Sequence, residues 1–256
     1  LFVTIMGVSF LISMFIVLPP PGEIVTGFIP SIPEGEGGSL LVAAFVGTTM
    51  AAPTFVVRPL LMQGKGWARE DTSLQSRDAL SSALLMFVIS AAIMITAMGA
   101  LYYKGLTINK VIDMVYTLEP VAGKFAVALF MTGALSAGLS SVFPILMVAP
   151  LLISDYKNGE LDLKSKLFKR LTAVACVVGL SVPILGANPI AAQIATQVAN
   201  VFVLPLVIGG IIYMINRKAV MGEHRAGWLL NTGLVLAFVF SCVISVIGFS
   251  ALKDFF

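Results

Sequence analysis

The stretch Gly47-Thr48-Thr49-Met50-Ala51-Ala52-Pro53-Thr54, followed by Arg58 and Pro59, sits in the middle of an apolar run covering residues 39–62. Proline has no N–H to give a helix and its ring crowds the preceding turn. Two prolines among small residues therefore predict a broken helix, whose freed carbonyls and amides can face only protein or water if the run lies in lipid. The surrounding composition says that it does. The 256 residues are 58% hydrophobic and 11% charged, with a mean hydropathy of +1.00, whereas a soluble domain carries about 25% charged residues. Soluble enzymes, nucleic-acid binders and disulfide scaffolds are excluded. The net charge of +3 is too small to name a partner.

Polar breaks separate seven apolar segments, at residues 1–18, 39–62, 79–101, 123–153, 171–185, 189–215 and 228–250. Each is near the roughly 20 residues that cross about 30 Å of hydrocarbon as a helix. They are too long and unbroken for the alternating strands of an outer-membrane barrel. Turn residues mark their ends, among them Pro19, Pro20 and Pro21, then Gly64 and Gly66. The Gly/Pro/Glu stretch at residues 19–38 reads as an external loop. Cys176 and Cys242 lie inside apolar runs as small hydrophobes. The chain opens inside an apolar run without an initiator Met, which reads as the back part of a longer protein.

Orientation follows from the basic residues, which are retained on the cytoplasmic side. If the first segment leaves the cytoplasm, the inside loops at residues 63–78, 154–170 and 216–227 hold eleven Lys and Arg. The opposite face holds four (Lys104, Lys110, Lys124 and Lys253), and Arg58 lies within a span. This is the pattern of a multi-pass protein of the cell membrane, in a prokaryote the inner membrane.

No acidic residue falls in the middle of a span. A cation crossing lipid needs a carboxylate or a cage of carbonyls to replace its hydration, so either no cation is moved or the anionic ligand lies in a front part of the protein outside this chain. The polar groups that do lie at membrane depth are selective. In the 39–62 segment the alternatives are a ligand site and a plain kink with Thr48 and Thr49 bonded back to their own helix. In the 189–215 segment, Gln193, Thr196, Gln197 and Asn200 form one polar stripe at helical spacing. It suits either substrate contact or interhelical hydrogen bonding worth about 0.6 kcal/mol each. Gly133, Ala134, Ser136, Ala137, Gly138, Ser140 and Ser141 form a small-residue face that reads as helix packing. The single histidine, His224, lies between Glu223 and Arg225 in a basic loop. No metal-binding HExxH motif or intramembrane aspartate pair is present to support a hydrolase.

These residues resemble a family. Gly47-Thr48-Thr49, Pro53, Arg58 and Gln63 are similar to the sixth helix of the NRAMP divalent-metal transporters, whose pattern is close to GATVMPHNLYLHSxLVQ. Leu118-Glu119-Pro120, Gly123, Phe130, Gly133 and Ala137 to Ser141 resemble the eighth helix. Pro189, Gln197 to Asn200 and Leu204-Pro205 resemble the tenth, and Asn216-Arg217-Lys218 with Met221-Gly222-Glu223 the loop after it. The resemblance covers nearly the whole chain.

It implies an all-α membrane protein with the LeuT-like architecture of two inverted five-helix repeats. Residues 1–18 would close the first repeat and residues 39–215 would form the second. Residues 216–256 would add a cytoplasmic loop and a last span. The family's Asp-Pro-Gly-Asn metal motif on its first helix is not in this chain. A kink in the 39–62 segment is, in this family, the metal site. The resemblance thus places Thr48, Ala51 and Ala52 with Gln197 and Asn200 at the ion, and Pro53, Thr54 and Arg58 in coupling or gating.

The departures bear on the ion. Aligned without a gap, the family's metal-binding Met falls on Ala51 and its two histidines on Pro53 and Arg58. Sliding by one residue puts Ala52 at the Met position. Met50 would point about 100° to 200° away around a helix. A thioether selects soft metals, while carbonyl, carboxylate and water suit Mg²⁺, Mn²⁺ and Ca²⁺. The pattern resembles the NRAMP-related magnesium branch. The expectation is a secondary transporter with Mg²⁺ or Mn²⁺ as substrate and no cofactor. The rival readings are a proton-coupled Mn²⁺/Fe²⁺ importer, an amino-acid transporter of the same architecture and a non-transporting membrane scaffold.

Overall fold

The computed structural model describes residues 1–33, 37–108, 110–158, 164–186 and 188–255. Glu34 and Glu36 of the 19–38 stretch and Glu160 and Asp162 of the 154–170 loop lie outside them. The described residues form eleven α-helices and short 3₁₀ turns, with no strand among them. The helices are α1 (Phe2–Ile16), α2 (Pro21–Thr26), α3 (Gly38–Thr49), α4 (Ala52–Gly64), α5 (Thr72–Ala100), α6 (Glu119–Ala122), α7 (Ala126–Asn158), α8 (Lys166–Ile184), α9 (Pro189–Asn216), α10 (Lys218–Met221) and α11 (Trp228–Phe255).

All seven apolar segments are helical. Among the described residues five stretches are long and apolar enough to cross a membrane: Gly38–Gly64, Thr72–Lys104, Glu119–Lys157, Pro189–Asn216 and Trp228–Ala251. The protein is a multi-pass membrane protein. Two segments fall short of the expected length. The α1 helix has 15 residues. The α8 helix begins with Lys166, Lys169 and Arg170, and the apolar remainder from Leu171 to Ile184 rises only about 21 Å at 1.5 Å per residue.

The described chain divides into two compact units, residues 1–30 with 65–149 and residues 31–64 with 150–256. In the first, α1 and α5 run parallel. Gly7 lies near Ile89, and a Cβ on Gly99 would overlap the Val17 carbonyl oxygen, so the two backbones touch at their C-terminal ends. The buried Thr96 hydroxyl donates to the Phe10 carbonyl (3.3 Å), and the Ser13 hydroxyl donates to that of Thr117 (2.9 Å). Phe10, Ala92, Leu118, Ala126 and Phe130 fill the core. The antiparallel α7 enters through Gly133, where a Cβ would stand 2.8 Å from Met6 Cβ. The small-residue face of α7 is used only in part. Gly133 and Ala134 pack, whereas Gly138, Ser140 and Ser141 are exposed and the Ser140 hydroxyl donates to its own helix at Ala137. Small residues permit close approach but cannot specify how far along a helix a partner follows.

In the second unit α3 and α4 run along α9, with α11 antiparallel to both. Ala43 and Ala44 meet Val198 and Val201, Ala52 meets Leu204 and Ile208, and Gly248 of α11 lies 3.3 Å, by its added Cβ, from Ala43. Asn216 and Asn231 exchange amide hydrogen bonds of 2.7 and 3.0 Å across the α9–α11 turn. Pro205 interrupts α9 and cannot donate to the Val201 carbonyl four residues earlier. The Ser245 hydroxyl of α11 donates to that carbonyl at 2.8 Å. Ser245→Ala is expected to lower stability by about 0.6 kcal/mol, up to about 1.7. Ser250→Ala should cost less, since its hydroxyl serves only its own exposed turn. Thermal unfolding of both variants in the same detergent checks the ordering.

Candidate metal site

The helix break expected from the sequence is present, and it lies between Thr49 and Ala52. The last amide of α3 to bond normally is Met50 N–H, which reaches the Val46 carbonyl at 2.8 Å. Met50 then leaves the helical region (φ −106°, ψ 57°). Pro53 has no N–H for the Thr49 carbonyl, and the Thr54 N–H bonds Ala51 at 3.0 Å, starting the next helix. The threonines bond as the kink reading expects. Thr48 and Thr49 donate back to the Ala44 and Phe45 carbonyls (2.9 and 3.0 Å). A hydroxyl whose proton is committed in this way presents its lone pairs, the polarity a cation requires.

Gly47 fixes what faces the break. A Cβ there would overlap the Gln197 carbonyl oxygen and come 2.8 Å from its carbon and 3.1 Å from Val201 Cγ2. Thus α3 and α9 are in backbone contact one turn before the break. On its other side, the fully buried Ala52 packs against Leu204 and Ile208, with Met50 against the same cluster. The break is held against α9 between Gln197 and Leu204.

The polar stripe of α9 splits at this level. Gln197 and Asn200 are half-buried and joined side chain to side chain, Asn200 Nδ2 donating to Gln197 Oε1 at 3.0 Å. Asn200 Oδ1 is then the pair's remaining carbonyl-type oxygen. Gln193 and Thr196 are exposed, and the Thr196 hydroxyl is spent on the Gln193 carbonyl.

The other candidates are placed as follows. Ala51 is half-buried in the break, Thr48 is exposed at its edge, and Pro53 and Thr54 are exposed on the first turn of α4. Arg58 is half-buried seven residues past Ala51, about 10 Å along α4 at 1.5 Å per residue. The break and Arg58 are therefore separate features of one helix. Met50 lies outside both helices, so the rotation that would turn it away from an ion does not apply. Its side chain packs against the buried cluster of Ala52, Leu204 and Ile208.

Electrostatically the break suits a cation on the α3 side. The C-terminal end of a helix carries about half a negative charge on its unbonded carbonyls. The oxygens at or next to it on the described residues are backbone carbonyls, the Thr48 hydroxyl and the Gln197–Asn200 amide pair. Among the described residues no group of three or more His, Cys, Asp or Glu gathers to hold a metal.

Comparison with known proteins is consistent across the chain. The family described as natural resistance-associated macrophage protein-like, Nramp, matches residues 1–251. A divalent metal cation transporter MntH of Caldanaerobacter subterraneus subsp. tengcongensis is 26% identical over 231 residues, 86% of this chain and 53% of that protein. Proteins of the same name from Clostridium acetobutylicum and Deinococcus radiodurans are 23% and 24% identical, covering 90% and 86% of this chain and 55% and 51% of theirs. The chain spans about half the length of these curated relatives.

Proposed function

This chain belongs to the Nramp family, and we propose on that premise that its protein is a secondary transporter of divalent metal cations working by alternating access. The observation that carries the reading is the α3–α4 break, with Gly47 one turn before it seated on the Gln197 backbone and Gln197 hydrogen-bonded to Asn200. A broken helix facing a polar pair is how a transporter exposes backbone carbonyls to an ion at membrane depth. The names of the relatives, all divalent metal cation transporters, support the same class. In this reading residues 39–215 form the second repeat of a LeuT-like pair, residues 1–18 end the first, and a carboxylate from outside this chain completes the ion's ligands.

The favoured cargo is a hard ion, Mg²⁺ before Mn²⁺. Ala51 and Ala52 stand where the family pattern has its thioether, and the nearby Met50 is packed on an apolar cluster. Oxygen and amide donors suit ions that keep part of their water. Mg²⁺ and Mn²⁺ uptake by the protein reconstituted in vesicles should therefore proceed, while calorimetry shows only weak Cd²⁺ binding. The second reading is a transition-metal importer of the ordinary family type, favoured by Met50's place in the break. Tight Cd²⁺ binding that Met50→Ala abolishes would establish that reading instead.

A further inference from the structure

We infer that residues 21–29 are a lipid-embedded segment that lies back along the membrane-facing side of α5, with acyl chains and the headgroup boundary as its partner. Two contacts fix its path. At one end the Tyr103 hydroxyl, just past the C-terminus of α5, donates to Glu23 Oε2 of α2 at 2.5 Å. Tyr102 packs edge-on against Tyr103, and paired tyrosines at a helix end sit at the headgroup level. At the other end the Phe28 ring meets the Phe87 ring, centroids 6.5 Å apart.

The separation of those two anchors sets the depth. Phe87 lies 13 residues before Ala100, the end of α5, which is about 20 Å of helix at 1.5 Å per residue. A hydrocarbon core is about 30 Å thick. A segment whose Glu23 is at the tyrosines and whose Phe28 reaches Phe87 runs inward from the headgroups, so it does not stand off in water.

The surface it presents fits that position. Val25, Phe28 and Ile29 are each 66% exposed, and they continue the exposed face of α5 formed by Leu84, Leu85, Phe87 and Val88. That face belongs to a stretch long and apolar enough to span. The segment's only charge, Glu23, is held at the tyrosine end. Exposed apolar groups on an element with its polar group at one end are the pattern of an interfacial insertion.

Spin labels test this independently of transport. Val25→Cys, Phe28→Cys and Ile29→Cys would each be labelled in a Cys176→Ala, Cys242→Ala background and reconstituted in phosphatidylcholine vesicles. Collision with oxygen, which dissolves in lipid, is compared with collision with a water-soluble nickel chelate. Leu85→Cys and Lys110→Cys serve as lipid and water references. Phe28 and Ile29 should approach Leu85, and Val25, nearer the tyrosines, should fall between the references, each with an oxygen-to-nickel ratio several-fold above that of Lys110. Ratios like that of Lys110 would overturn the inference in favour of a water-facing loop. Slow collision with both reagents would overturn it in favour of a protein-covered one. If Phe28→Cys fails to fold, Val25 and Ile29 still report the depth, because neither makes the ring contact.

Discussion

Gly47→Ala is expected to abolish the proposed metal uptake and to lower the thermal stability of the protein, whereas Gly138→Ala should leave both unchanged. The two substitutions add the same methyl group to two membrane helices. At Gly47 the methyl would overlap the Gln197 carbonyl oxygen and stand 2.8 Å from its carbon. Those are backbone atoms of α9, which cannot rotate away as a side chain can, so the helices must separate. Overpacking of this kind costs about 1–3 kcal/mol. The separation also falls one turn from Met50 and Ala51, so it changes the distance across the break that is proposed to hold the ion. At Gly138 nothing lies within 4 Å of the added atom. Unfolding temperatures in a single detergent, together with initial uptake rates normalised to folded protein, check the pair. Unchanged stability and uptake for Gly47→Ala would show that α3 and α9 do not meet at that point.

The helices were legible in the sequence because lipid leaves few options. Only about 20 apolar residues in a helix satisfy their backbone inside hydrocarbon, and each of the seven segments is helical. The break was legible for a local reason. A proline's missing N–H acts on the carbonyl four residues before it, so Pro53 points to Thr49 without any knowledge of neighbours.

What could not be read depended on which neighbour a face meets. Helical spacing put Gln193, Thr196, Gln197 and Asn200 on one stripe, but spacing gives no azimuth relative to α3. The structure retains only Gln197 and Asn200 as half-buried. Gly47 was visible as a small residue, and nothing local marked it as the contact that seats Gln197. Ser245 carried no signal at all, since its partner is a carbonyl freed by a proline on another helix. Residues 21–29 read as a plain external loop because Pro, Gly and Glu dominate the stretch. Its Val25, Phe28 and Ile29 acquire meaning only when Phe28 is seen against Phe87.

Gln197→Leu is expected to cut metal uptake about tenfold or more while leaving the protein folded. The substitution is well suited to separate two roles, because α9 uses Gln197 twice. Its backbone carbonyl seats Gly47, and leucine keeps that contact. Its side-chain Oε1 accepts the Asn200 amide at 3.0 Å, and leucine removes it. If the amide pair only joins helices, the loss is about 0.6 kcal/mol, and uptake falls in proportion to the folded fraction. If the pair faces the ion or its water shell, a hydrogen bond to a charged species is lost. Such a bond is worth about 1.5–3 kcal/mol, or roughly ten- to over a hundredfold in binding. The metal concentration giving half-maximal uptake should rise, and Asn200→Leu should produce the same phenotype, since each residue orients the other. Initial rates measured across a Mg²⁺ and a Mn²⁺ concentration series, beside unfolding temperatures for both variants, distinguish the two roles. Rates near those of the unmutated protein at every concentration would assign Gln197 to packing and move the ion's donors to the backbone of the break alone.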